Sequence, residues 1–424
     1  MKYHSESIPN HEILRRSLTM KFTTNMFSQI LHIVPRTTFT RLVYESHAER
    51  CAKGFSSWDQ FVAMLFCQLA QAKSLREISD GLAVTCGKLN HLGLRQAPPK
   101  STLAYANTHR SYELFVRLFF HVLDICRQES PGKKKKFRFK NKLLSLDSTT
   151  IDLCLSLFPW ADFRQTKGAV KLHLLLDHDG YLPDFAILTD GKTHDVTTAR
   201  HFTLPSGSIV AIDRAYCDFD LFYQWNDSGI YFVTRLKDNA AYEVVENRPL
   251  PRRSNILADQ IIRFTGPTTR TKYPDTLRRV VVWDEVNQQE TELLTNHLRF
   301  GPTTISKIYR DRWEIELFFK VLKQHLKIKT FVGTTPNTLK TQIWTALIAI
   351  LLIKYLQFRS RCNLPLCRLV ALLRLNLFSY RNLWDWLNNP FETPPVIPSP
   401  QLEFAFETAF KYNQGVEIEN LYKA

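Results

Sequence analysis

Nowhere in its 424 residues does this chain hold the roughly 20 consecutive apolar residues that a bilayer-spanning helix needs. The longest such run, Trp344 to Ile353, is closed by Lys354 and reads as a buried helix, so no membrane association is expected. Met1 to Glu12 carry charges and lack the apolar segment of a secretory signal, which makes the expected location cytoplasmic. The eight cysteines (51, 67, 86, 126, 154, 217, 362 and 367) are scattered, and only Cys362 and Cys367 lie close together. Without a Cys/His pair at zinc spacing, reduced thiols in packed positions are expected. Also missing are Gly-x-Ser-x-Gly, which argues against a serine hydrolase, and Gly-x₄-Gly-Lys-Ser/Thr, which argues against ATP-driven chemistry. There is no internal repeat.

What the chain does have is positive charge. Lys and Arg number 56 against 40 Asp and Glu, a formal net charge of +16 with a pI near 9.5. A polyanion is the first partner such a balance suggests, because neutralising phosphates supplies most non-specific nucleic-acid affinity; a membrane surface would fit the charge alone equally well. Hydrophobic residues make up 44%, ordinary for a globular protein, and the length suggests two or three domains.

From Ser56 to about Gln128 the period is helical, with Trp58, Phe61, Val62, Leu65, Phe66 and Leu69 at spacings of three and four. Ser74 with Glu77 forms a capping box, and Ser101 after Pro98-Pro99 is a second candidate cap. Basic residues between the apolar positions suit either a helix-turn-helix-like DNA-binding module or a plain helical domain with solvated charges. Ser130-Pro-Gly followed by Lys133, Lys134, Lys135, Lys136 and Arg138 reads as a basic linker. Strand periodicity then takes over. Leu143 to Asp147 and Ser208 to Asp213 are short apolar strands, each ending in a carboxylate; 169–176 and 181–188 flank a hairpin turn at Asp179-Gly180; and Asp195 caps a short helix. Residues 231–300 are strand-rich and read as an all-β insertion. The helical period returns from Thr304. The expected domains are 1–129, helical and DNA-binding; 130–142, linker; 143–335, catalytic; and 336–424, a helical C-terminal region and tail.

Chemistry concentrates in Tyr309 to Lys323. Read as one helix, this segment puts Tyr309, Arg312, Glu316 and Lys323 on one polar stripe beside an apolar stripe of Ile308, Ile315, Phe319 and Leu322. Taken alone, the stripe fits a surface helix with charge pairs such as Glu316–Lys320 better than it fits a site. Two strand-end aspartates upstream favour a site: two Asp and one Glu suffice for Mg²⁺ when substrate phosphates complete the shell. Either Asp could instead be a turn cap. His173, alternating with leucines, reads as a satisfied sheet histidine, and Thr193-His194-Asp195 as a helix start near the site.

With Tyr309, Arg312, Glu316 and Lys323 spaced Tyr-x₂-Arg-x₃-Glu-x₆-Lys, the chain resembles the bacterial insertion-sequence DDE transposases that carry this signature. Leu-Asp-Ser-Thr at Asp147, Ile-Asp-Arg-Ala-Tyr at Asp213 and Leu-Leu-Thr-Asn before the signature are similar to the family's blocks, and the likeness covers about residues 56–355. The separations of 66 and 103 residues between the three acids leave room for the family's β-insertion. The resemblance implies an α/β fold with a ribonuclease-H-like mixed sheet. It further implies that Asp147, Asp213 and Glu316 are catalytic and hold two Mg²⁺, with Mn²⁺ able to substitute. Tyr309, Arg312 and Lys323 would grip phosphates, Trp313 would support an unstacked base, with Trp283 a weaker candidate, and the linker cations would meet duplex backbone. The implied reaction is cut-and-paste transposition: cleavage at terminal inverted repeats, passage through a hairpin in relatives with this signature, and joining to target DNA by a homodimer in a synaptic complex on the bacterial nucleoid. An inactive DNA-binding relic, or a nuclease of the same fold without strand transfer, remains open at this point.

Overall fold

The computed structural model of the chain describes residues 24–392 apart from 51, 53, 86–87, 131–135, 165–166 and 253. Among the described residues six α-helices come first: α1 (Met26–Leu31), α2 (Arg36–Glu45), α3 (Ser57–Ala70), α4 (Leu75–Ala83), α5 (Lys100–His109) and α6 (Glu113–Glu129). Ser56 caps α3 through a reciprocal bond with Asp59, and Ser74 caps α4 by accepting from the Glu77 amide. The expected cap at Ser101 is not used: Pro99, two residues earlier, takes the cap position of α5, where its fixed φ suits a helix entry.

The sheet then begins with β1 (Leu143–Leu153), β2 (Asp162–Arg164), β3 (Lys167–Asp177) and β4 (Leu182–Asp190). A short helix α7 (Asp195–Ala199) leads to β5 (Ile209–Ile212), and α8 (Phe219–Asp227) to β6 (Tyr231–Arg235). Gly180, at φ +86°, makes the turn between β3 and β4 that Asp179-Gly180 suggested. His194, not Asp195, occupies the cap position of α7, which frees the Asp195 carboxylate for other partners.

β1 lies antiparallel to β3, β3 antiparallel to β4, and β1, β5 and β6 run parallel in that order. This strand order, β4-β3-β1-β5-β6, is a ribonuclease-H-like mixed sheet. The strand-rich segment takes a different form from the one expected. Tyr231–Arg235 is the fifth core strand. The later elements, β7 (Tyr242–Asn247), β8 (Ile256–Phe264), helix α9 (Pro267–Lys272), β9 (Leu277–Asp284) and β10 (Gln289–Thr295), extend the same sheet through β10 against β6. The insertion thus lengthens the sheet to ten strands. Inside it, Arg278 and Asp259 form a two-pronged pair, Nε–Oδ1 and Nη2–Oδ2 both 2.7 Å, with both side chains essentially without solvent contact.

Five helices close the described chain: α10 (Pro302–Asp311), α11 (Trp313–His325), α12 (Pro336–Arg359), α13 (Leu366–Asn376) and α14 (Leu383–Asn388). α12 contains the apolar run and is long and apolar enough to cross a bilayer by composition, yet nearly all of it is buried against the protein's own helices. It packs on α3, α5 and α6, so the helices before and after the sheet share one core with α11 and one face of β1 and β3. The other face of β1 and β5 is covered by α8. Among the described cysteines, Cys67, Cys126 and Cys217 are buried as expected, whereas Cys154 and Cys367 lie on the surface in turn and first-turn positions.

Candidate active site

Asp147 is not at a strand end, as the sequence suggested, but within the eleven residues of β1. What ends there is the parallel pairing: Leu146 is opposite Ile212, the last residue of β5. Asp147 and Asp213 are therefore the next residues on neighbouring strands. In-register parallel neighbours point to the same side, here the side of Leu143, Ile209 and Ala211, which packs against Ile305 and Ile308 of α10. Each Asp is also held locally: the Ser148 amide donates to Asp147 Oδ1 at 2.8 Å, and the Ala215 amide to Asp213 Oδ1 at 3.0 Å.

The signature segment is two helices rather than one. α10 ends at Asp311 and α11 starts at Trp313, with Arg312 at the junction. All four residues of the expected apolar stripe, Ile308, Ile315, Phe319 and Leu322, are buried and seat the pair of helices on the sheet. Arg312 is carried inward and meets all three acids: Nη2 to Glu316 Oε1 at 2.9 Å, Nη1 to Asp147 Oδ2 at 3.5 Å, and Nη2 to Asp213 Oδ2 at 4.0 Å. Glu316 thus pairs with Arg312 and not with Lys320. The three carboxylates meet this guanidinium rather than one another: among the described residues no three His, Cys, Asp or Glu side chains stand close enough to ligate one ion.

Charge is unbalanced at this point, with three carboxylates against one guanidinium. Burial raises the Asp147 carboxyl to about 6; the Ser148 amide and Arg312 pull it back, while Asp213 and Glu316 push it further up. Arg312 is only 7% exposed, and its Nε and Nη1 have no hydrogen-bond acceptor. Buried donors in that state are costly unless another acceptor arrives. The Tyr309 ring lies beneath the guanidinium, 5.5 Å from its carbon.

The remaining expected site residues divide. Trp313 is 57% exposed and faces a cleft of about 240 Å³ that Trp283, Asn287, Tyr309 and Arg312 also line. Lys323 is turned away from the acids and donates to the Thr150 carbonyl of β1 at 2.9 Å, tying α11 to the strand. Lys136 pairs with Asp311, Arg138 is exposed, and Lys133, Lys134 and Lys135 lie outside the described residues. Behind Asp147, the Ser148 hydroxyl donates to Asp195 at 2.9 Å, and Lys171 pairs with the same carboxylate. His173 is buried in the sheet but only half satisfied, against the expectation: Nε2 is bonded to Thr189 at 2.9 Å, Nδ1 has no hydrogen-bond partner among the described residues, and burial pushes the ring down to about 4. Sequence reasoning passed over Ser145, His178 and Asp311, which form a second buried polar group beside the first. Asp311 stood in plain view inside the signature segment, but nothing in its spacing distinguishes a buried carboxylate from a solvated one.

Residues 138–352 match the family model for the "Transposase DDE domain", and residues 23–95 match a "Domain of unknown function (DUF4372)". A putative transposase of Sinorhizobium fredii is 29% identical over 72% of this chain and 83% of its own length. A probable transposase for an insertion sequence of Geobacillus stearothermophilus is 28% identical over 68% and 74%, and a putative one from Synechocystis is 24% identical over 60% and 71%. A piggyBac transposase synaptic complex with hairpin DNA aligns with 96% of this chain and 88% of that one at a TM-score of 0.43 and 10% identity, too distant to carry an argument. The transposase DDE model spans half of the chain, including the junction where the acids meet, and the chain belongs to the DDE transposases of bacterial insertion sequences, enzymes that act on DNA with divalent metal ions.

Proposed function

We propose that this chain moves its own element by cut and paste, with Asp147, Asp213 and Glu316 as the ligands of two Mg²⁺, for which Mn²⁺ can substitute. The observation that carries the reading is the delivery of three carboxylates, from β1, the end of β5 and α11, to one guanidinium. The donor set fits the group: hard oxygen ligands suit these cations, and three carboxylates facing one positive charge leave the site short of cation. Held by these carboxylates, such ions would supply an activated water and neutralise the charge that develops on a phosphodiester.

The chain's own residues do the rest. Arg312 offers Nε and Nη1 to a phosphate oxygen, replacing missing acceptors with a charge-assisted fork. Tyr309 supports that guanidinium from below. Trp313 and Trp283, both lining one cleft, suit an unstacked base beside the cut. Lys323 serves from behind, holding β1 against α11. Lys136, Arg138 and the preceding lysines, with the basic residues of the first six helices, suit the duplex backbone. Hydrolysis at the element's end frees a 3′-hydroxyl, and that hydroxyl is the nucleophile that joins the end to target DNA. Two copies, each holding one terminal repeat, bring the ends together, and the reaction takes place in the cytoplasm on nucleoid DNA.

The test is cleavage and joining of labelled duplexes that carry the element's terminal inverted repeats, in Mg²⁺, by the native chain and by Glu316→Gln. Native protein should cut and join, and Glu316→Gln should bind the duplex without cutting it. Equal cutting by both proteins rejects the assignment, and cutting without joining makes the chain a nuclease of this fold.

A further inference from the structure

Two residues before Asp147, on the same side of β1, stands Ser145. Positions two apart on a strand are about 7 Å apart and face the same way, so Ser145 points, as Asp147 does, toward the junction of α10 and α11. Asp311 stands at that junction, immediately before Arg312. Between Ser145 and Asp311 lies His178, from the turn after β3: the Ser145 hydroxyl meets His178 Nε2 at 2.6 Å, and His178 Nδ1 meets Asp311 Oδ2 at 2.6 Å. One neutral tautomer satisfies both bonds, with Nδ1–H donating to the carboxylate and Nε2 accepting from the hydroxyl. The Asp311 side chain is 1% exposed and is also met by Lys136 from the linker and by the Tyr181 hydroxyl at 3.3 Å.

The order Ser-His-Asp is that of a hydrolytic triad, but Ser145 has no solvent contact whatever and no substrate can reach its oxygen. Its geometry serves a different end. Two polar cross-links join β1 to the α10–α11 junction side by side: Ser145–His178–Asp311, and Asp147–Arg312–Glu316. They start two residues apart on the strand and reach the junction at adjacent residues, Asp311 and Arg312. The first is buried and fully bonded, whereas the second joins partly exposed carboxylates to a buried guanidinium with donors to spare. A buried network with every member satisfied is rigid, and the first link therefore fixes the separation at which the second must work.

We propose that Ser145, His178 and Asp311 are positioning residues that set the distance of Arg312 and Glu316 from Asp147, and that Lys136 ties the basic linker to this same gauge. This rests on the assignment of Asp147, Asp213 and Glu316 as metal ligands. The experiment measures Mn²⁺ binding to the full chain by the electron paramagnetic resonance of free Mn²⁺, without DNA, for native protein, Glu316→Gln, Ser145→Ala and Asp311→Asn. Duplex affinity and single-turnover cleavage are followed in parallel. Native protein should bind Mn²⁺ more tightly than Glu316→Gln; equal binding by these two would reject the ligand assignment itself. Granted that difference, Ser145→Ala and Asp311→Asn should bind Mn²⁺ about tenfold more weakly and cut correspondingly slower, with duplex affinity unchanged. Folded variants that bind Mn²⁺ and cut as native protein does, whatever their melting temperature, would overturn the proposal. Ser145→Ala removes one hydroxyl only, so it decides the matter should Asp311→Asn fail to fold.

Discussion

Replacing Asp147 with Asn should make the metal-free protein more stable while abolishing cleavage. The Asp147 carboxyl titrates near 6 in the folded chain, chiefly because burial disfavours its charge, whereas an unfolded Asp titrates near 3.9. Below about pH 4 the group is protonated in both states and contributes no difference. As pH rises from about 4 to about 6 the folded chain holds a proton that the unfolded chain has released, so stability falls through that window and stays lowered above it. With each pH unit worth about 1.36 kcal/mol, ionised Asp147 costs the fold about 3 kcal/mol at neutral pH. Asn keeps the shape and the acceptor for the Ser148 amide and removes the charge. Urea unfolding in EDTA at several pH values measures the difference directly. Asp147→Asn should be more stable by about 3 kcal/mol at pH 7 and by nearly nothing at pH 4. An equal stability of the two proteins at pH 7, or a gap that does not close in acid, would refute the reasoning. Saturating Mg²⁺ should narrow the gap from the native side alone, because binding to the folded state stabilises it.

The same geometry sets two more expected outcomes. Asp259→Ala strips a fully buried guanidinium of its two-pronged partner and should cost about 3–5 kcal/mol in thermal or urea unfolding, the cost of an uncompensated buried charge; a loss below about 1 kcal/mol would show that Arg278 finds other partners. Trp313→Ala removes an exposed ring and should leave stability within about 0.5 kcal/mol. A lost base stack of about 1–3 kcal/mol, if formed only as the strand is cut, should slow cleavage about 5- to 150-fold; unchanged single-turnover cleavage would remove Trp313 from the site.

The segments that carry Asp147, Asp213 and Glu316 were legible because their pattern is local: apolar strands running into Asp, and a helical stretch with one polar and one apolar side. Register was not legible. That Leu146 stands opposite Ile212, and so sets Asp147 beside Asp213, depends on strand pairing across 66 residues. The break at Arg312 was hidden because its backbone stays helical on both sides, and the turn it makes is what carries the guanidinium inward. Lys323 fits the signature by spacing, yet spacing does not show that its ammonium reaches a strand carbonyl. The strand-rich segment is legible as strands, but sequence cannot tell a separate β unit from strands added to an existing edge. Similarly, the helical stretches before and after the sheet each have their own periodicity, and nothing in either betrays that they bury their apolar faces on each other.

That shared core sets the order of events while the chain is being made. α3 and α6 emerge early, but the helix they pack on, α12, begins at Pro336, about 200 residues after α6 ends. At synthesis rates of about 5–20 residues per second, the first helices wait roughly 10–40 s for their partner. During that time the part of their apolar surface that α12 covers stays open, and a chain ended before α12 never covers it. Broken copies of the gene that stop before α12 therefore yield fragments whose helical core is incomplete, open to aggregation and proteolysis, while the two smaller cores of the sheet, built from residues 143–308, are already encoded.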